Sequence, residues 1–187
     1  MADLTHAQLA QLAEDLSGSS RRARQSAAEQ LREVSKERPE DLAAFIPDFV
    51  DALNRPESQT RWECLDILTS LSTLDPVACG AALPGAELAL FDEENSMVRL
   101  WAMIFLCEWG KLSEVNSIEA WPLIDEAVRC YHGDMEFQDM LTAVLGFSQG
   151  ALAPEVKKAL ARAMAFDAEN ARGVLQRKAK RIIENVK

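Results

Sequence analysis

The sequence predicts an all-α fold built as an array of about five antiparallel helix pairs. Apolar residues recur at helical spacing along the chain, and no segment sustains the alternation of a half-buried strand. An arginine-led motif also returns at a nearly constant interval. RQSAAEQL (24–31), RWECLDIL (61–68) and RLWAMIFL (99–106) each place small or apolar residues three, four and seven positions after the arginine, and Gln138 takes that place in QDMLTAVL. Successive separations from Arg24 are 37, 38 and 39 residues. Pro47, Pro84 and Pro122 keep the same rhythm, lying 14, 15 and 16 residues before Arg61, Arg99 and Gln138. Two independent markers on one period are the signature of a repeat array.

The units are expected at about 4–37, 41–74, 76–112, 117–149 and 153–186. In the first, Leu9, Leu12 and Leu16 form one stripe, Ser17 to Ser20 breaks it, and Ala27, Ala28, Leu31 and Val34 form the next, closed by Arg38-Pro39. The second carries Pro47 in its first helix, turns at Asn54-Arg55-Pro56 and packs through Cys64, Leu65 and Leu68, with Arg61 opening that stripe. The third begins after Asp75-Pro76, carries Pro84 and turns between Asp92 and Ser96. The fourth is expected to open after an Asn116-Ser117 break and to turn at His132-Gly133-Asp134. The fifth follows the break from Gly150 to Pro154 and turns between Asp167 and Asn170. Its last helix, RGVLQRKAKRIIENVK, sets Val174, Leu175, Ala179, Ile182, Ile183 and Val186 against a basic face, as a helix closing the stack would. These breaks divide the chain into about ten helices.

Ile46-Pro47, then Asn54-Arg55-Pro56, then Arg61 with Cys64, Leu65 and Leu68 follow the order of first-helix proline, Asn or Asp turn, and arginine with small and apolar residues after it. In this the chain resembles the HEAT repeat family over nearly its whole length. The resemblance implies a single domain, residues 1–187, wound as a right-handed α-α superhelix (a HEAT/armadillo-like solenoid) whose second helices line a concave face. The first unit lacks the proline, the fourth has Gln138 for arginine, and the fifth offers Arg172 or Arg177 as equivalents. Terminal units cap a solenoid, which makes such departures expected there. Arg24, Arg61, Arg99, Pro47, Pro84 and Pro122 are read as structural repeat positions. Since the arginine recurs beside unlike neighbours, its expected task is to bond a carboxylate or the carbonyls that end an adjacent helix.

Composition narrows the function. The net charge of −10 opposes sequence-independent nucleic-acid binding, which depends on neutralising phosphates. No apolar run approaches the roughly 20 residues that span a bilayer, and the N-terminal stretch lacks the pattern of a secretory signal, so the cytoplasm is the expected compartment. Cys64, Cys79, Cys107 and Cys130 are scattered outside any C-x-x-C pair and are read as reduced thiols, with no metal site. His6 and His132 are too isolated for a catalytic arrangement, adjacent pairs such as Glu93-Glu94 or Asp125-Glu126 point different ways on a helix, and no phosphate-binding loop is present. An enzyme is disfavoured; no catalytic residue and no cofactor is assigned.

The face of the second helices left over by packing is the expected binding surface. It changes from Ser26, Glu29, Gln30 and Glu33 through Glu63, Asp66, Ile67 and Ser70 to Trp101, Ile104, Phe105 and Glu108, then Met140, Ala143, Val144 and Phe147. Trp62, Glu63, Asp66, Trp101, Ile104, Phe105, Glu108, Met140 and Phe147 are the candidate partner-binding residues: aromatic anchors within an acidic rim. Burial of the apolar part in the core, or self-association into a homo-oligomer, are the competing readings. From Asp75 to Glu136 there are twelve acids and three bases, so the expected function is a scaffold holding a protein partner with a basic segment. The alternatives are a nucleic-acid binder related to HEAT-like DNA glycosylases, whose concave basic track this face lacks, and a cofactor-assembly or lyase-type HEAT protein, for which no specific residues are present.

Overall fold

The computed structural model describes residues 4–187, which are helical with no strand among them. They fall into two compact units, Met1–Phe105 and Leu106–Lys187. In the first unit, α1 (His6–Asp15) begins at a capping box in which Thr5 and Gln8 exchange side-chain and backbone bonds. Ser20 caps α2 (Arg21–Glu37), whose Ala27, Ala28, Leu31 and Val34 are buried. A 3-10 segment (Pro39–Phe45) leads into α3 (Ile46–Ala52), and α4 (Ser58–Leu71) packs against α2 and α3. Next come α5 (Pro76–Gly80), α6 (Leu83–Leu90) and α7 (Ser96–Gly110). Cys64, Leu65 and Leu68 are fully buried, as the stripe behind Arg61 predicts; Leu71 joins them, and so does Ile67, expected on the open face. Each buried leucine contributes about 1.5–3 kcal/mol of burial free energy.

In the second and third repeats the expected first helix is two pieces, divided just before a proline. Pro47 and Pro84 each sit in the first turn of a helix, α3 and α6, where the missing amide hydrogen has no partner to lose. What precedes each proline is a short separate piece, the 3-10 segment or α5.

In the second unit, α8 (Glu114–Cys130) carries Pro122 in its interior, followed by α9 (Phe137–Phe147), α10 (Pro154–Asn170) and α11 (Gly173–Asn185). The break expected at Asn116-Ser117 lies inside α8, because Ser113 is the cap and accepts the Asn116 amide at 3.1 Å. Ser117, fully buried, uses its hydroxyl to accept the Ala153 amide at 3.0 Å and ties α8 to the start of α10. Asp167 to Asn170 likewise belong to α10, and the chain turns only beyond them. After α8 the chain reverses through Gly133, whose φ of 97° is open to glycine at little cost. The basic helix α11 packs on α9 and α10 with Ala179 and Ile182 buried, while Lys178 bonds the Gln138 carbonyl at 2.5 Å and the Thr142 hydroxyl at 2.6 Å.

The recurrent arginines act as clamps. Arg24 donates to the Gly18 carbonyl at 2.6 Å and grips Glu57 through Nε (3.1 Å) and a terminal nitrogen. Arg61 reaches Asp92 at 2.6 Å. Both carboxylates lie just before the second helix of the following repeat, so each arginine fixes one repeat on the next. Arg99 donates to the backbone carbonyl of Asp92 at 2.7 Å. The Arg24 hydrogen bonds hold the Glu57 carboxyl below its ordinary range.

A depressed carboxyl adds stability above its unfolded pKa and loses it as pH falls through the folded value. Glu57→Gln is therefore expected to lower Tm at pH 7, with the gap to wild type closing as the pH drops below the ordinary glutamate range; circular-dichroism melts over that range check it, and a pH-independent gap would contradict the clamp. Gly110 lies where an added Cβ would come within 2.8 Å of the Ala120 Cβ and 3.0 Å of the Phe147 ring. Both neighbours are fully buried and have no room to retreat. Gly110→Ala should cost about 1–3 kcal/mol, read as a lowered urea midpoint.

Candidate partner-binding site

The second helices of the first unit assemble an aromatic and acidic cluster. Trp62 of α4 and Trp101 of α7 stack with ring centroids 6.1 Å apart and planes 22° apart. Over them lies Arg32 of α2, its guanidinium carbon 4.9 Å from the Trp62 centroid and 5.8 Å from that of Trp101. Nε of Arg32 donates to Asp66 at 2.5 Å, and Glu33 lies 3.8 Å from another of its nitrogens. All of these side chains remain partly open to solvent.

Glu63, next to Trp62 on α4 and three residues before Asp66, is buried at 3% exposure. One carboxylate oxygen accepts from Gln59 at 3.2 Å; the other has no hydrogen-bond partner among the described residues. Burial pushes this carboxyl up to about 7; like charge from Glu29 and Asp66 acts in the same direction, and Gln59 and Arg32 oppose it. Burial also raises the Asp66 carboxyl, against the pull of the Arg32 bond. Lys36 pairs with Glu33 as well, so the carboxyl groups of Glu29, Glu33, Glu63 and Asp66 face two cations, Arg32 and Lys36, which leaves the cluster short of positive charge.

The sequence-derived list is divided by the structure. Trp62, Asp66, Trp101 and Ile104 reach the surface of the first unit, and Glu108, in the second unit, pairs with Lys111. Phe105, Met140 and Phe147 are 0–1% exposed and belong to the core instead of a partner face. The reason is rotational: on α4, α7 and α9 the side carrying the sixth residue after the alignment position, namely Ile67, Phe105 and Val144, is covered, while on α2 the equivalent Gln30 is exposed. On α9, the packing of α8 and α11 adds Met140 and Phe147 to the buried set, and Trp121 stacks on Phe147 at 6.4 Å. On α2 and α4 the side that stays open carries the first, fifth and eighth positions, whereas on α7 it carries Trp101 and Ile104, the second and fifth, and the eighth, Cys107, is buried. Arg32, which the repeat pattern does not single out, occupies the eighth place after Arg24, on the same stripe as Trp62 and Asp66 after Arg61.

The thiols offer no nucleophile in the core. Cys64 and Cys107 are fully buried and pushed by that burial far above the ordinary thiol range, and Cys79 is pushed up to about 11. In the second unit His132 Nε2 lies 3.0 and 3.1 Å from the two oxygens of buried Asp167, with the Phe137 ring centroid 4.9 Å away. This contact fastens the end of α8 to α10. No helix among the described residues is long and apolar enough to cross a membrane.

No protein-family model matches the sequence, and no curated protein matches it significantly. Solved structures do. A designed armadillo repeat protein in complex with peptide (KR)4 is similar with a TM-score of 0.79 at 16% identity, over 97% of this chain and 82% of that one. Computationally designed armadillo repeat proteins for modular peptide recognition give 0.76 at 16% identity, over 96% and 82%. An engineered protein from a structural genomics consortium gives 0.75 at 16% identity, over 96% and 79%. At this identity the likeness concerns the fold, which is an all-α solenoid of helical repeats.

Because the folded chain holds the Glu63 proton more tightly than the unfolded chain, stability is lost as pH rises from the ordinary glutamate range through about 7. Glu63→Gln should raise unfolding stability at pH 8, by on the order of 3 kcal/mol, and give little gain near pH 4. Urea titrations at the two pH values check this; an equal effect at both would show that Glu63 is ionised throughout.

Proposed function

We propose that the chain is a non-enzymatic HEAT-like scaffold of a single repeat domain, and that it holds a protein partner by laying that partner's basic segment on the second-helix face of the first unit. The observation that carries this reading is the Trp62–Trp101 stack with a cation seated over it and carboxylates around it. Two parallel indoles attract a guanidinium or ammonium through their negative faces, and the carboxylates supply directional acceptors. Ile104, on the same helix as Trp101, adds apolar contact area. The (KR)4 peptide named for one structural neighbour, and the modular peptide recognition named for another, supply the analogy for an extended basic ligand.

The acidic balance from Asp75 to Glu136 favours the same class of partner and makes encounter dependent on ionic strength. A (Lys-Arg)4 peptide is expected to bind in calorimetric titration at low salt and to weaken as salt is raised. Trp101→Ala and Asp66→Asn should each reduce affinity about tenfold, the loss of one cation–π contact or one charge-assisted bond. An acidic peptide of equal length binding as tightly, or single-stranded DNA binding more tightly than the basic peptide, would sink the proposal.

A further inference from the structure

The cluster on the first unit is already filled. Arg32 is part of α2, yet its head group sits where an incoming cation would sit, over Trp62 and bonded to Asp66. Its side chain is 23% exposed and that of Asp66 15%, so both members of the pair are part-buried but reach solvent. Close by is the unpartnered oxygen of Glu63, 97% of whose residue surface is covered. A buried carboxylate oxygen without a donor is costly to keep, and the charge of Arg32 already acts on this carboxyl.

We infer that Arg32 is a built-in occupant of this site, and that an arginine of the basic partner enters by exchange: it displaces Arg32 from the indole pair, bonds Asp66 and gives Glu63 its missing donor. The inference rests on the proposed function and assigns its regulation. Arg32 keeps the rings and Asp66 satisfied in the free protein, at the cost of competing with the ligand. The incoming guanidinium has donors enough for both carboxylates, whereas the Nε of Arg32 serves Asp66 alone among them.

Exchange also moves a proton. A cation bonded to Glu63 requires the carboxylate, so the proton held there in part of the population is released to solvent on binding. The charged neighbours acting on Glu63 are Glu29 and Arg32 from α2 and Asp66 on its own helix, while α7 brings the uncharged Trp101 to the cluster. Lysine and arginine of the ligand do not titrate between pH 6 and 8. With the Glu63 carboxyl at about 7, affinity should be about tenfold weaker at pH 6 than at pH 8.

Calorimetry with the (Lys-Arg)4 peptide tests this on the full chain. For wild type, titrations in two buffers of different ionisation heat should show net proton release near pH 7. Arg32→Gln should bind about tenfold more tightly, because no internal cation has to leave. Glu63→Gln should bind without proton release and with affinity nearly equal at pH 6 and 8. If wild type binds the peptide but Arg32→Gln binds no more tightly and wild type releases no proton, the exchange is wrong and the scaffold reading stands. If neither wild type nor folded Arg32→Gln binds, the scaffold reading fails, and the exchange with it. The proton measurement needs no variant, so a failure of Arg32→Gln to fold leaves the test intact.

Discussion

The arginine of the second helix, gripping a carboxylate that precedes the next second helix, is the constraint on which the first unit is organised. Helix pairs that present only apolar stripes slide against one another at small cost, because dispersion and burial are not directional. Arg24 on Glu57 and Arg61 on Asp92 remove that freedom, since a guanidinium in a part-buried setting must meet its acceptors at hydrogen-bonding distance. Asp92 shows how tightly the device is built: one oxygen receives Arg61 while the other accepts the Glu94 and Asn95 amides, both at 2.9 Å, in the turn just before α7. The same carboxylate therefore shapes a turn and joins two repeats.

Register fixed in this way determines which residues of α2, α4 and α7 come to lie together. With Arg24 held on Glu57, the eighth residue after Arg24 meets the fifth after Arg61, and Arg32 finds Asp66 across 34 residues of sequence. The aromatic and acidic cluster is in this sense a by-product of the clamp, assembled from stripe positions that packing leaves over.

The repeat was legible because each unit states it again: the spacing of three, four and seven after Arg24, Arg61 and Arg99 encodes both helix type and buried face, and the carboxylate partners of Arg24 and Arg61 follow from what a part-buried guanidinium needs. Other features depend on facts a linear pattern does not carry. Pro47 and Pro84 open new helices while Pro122 is carried inside one, a difference set by where the preceding chain has turned. Asn116-Ser117 reads as a break until Ser113 is seen to be the cap. Phe105, Met140 and Phe147 lie on helices apolar nearly all round, where composition alone does not say which side is covered. Arg32 escaped because its pairing is a property of two stacked repeats.

The thiols give the molecule a practical asymmetry. Cys64 and Cys79 in the first unit and Cys107 in the second are sealed in the core, whereas Cys130, at the last position of α8, is exposed. A maleimide dye or surface linker applied to the native chain would consequently attach at one place, in the second unit, and leave the tryptophan platform of the first chemically untouched. The natural sequence thus already carries a single addressable handle.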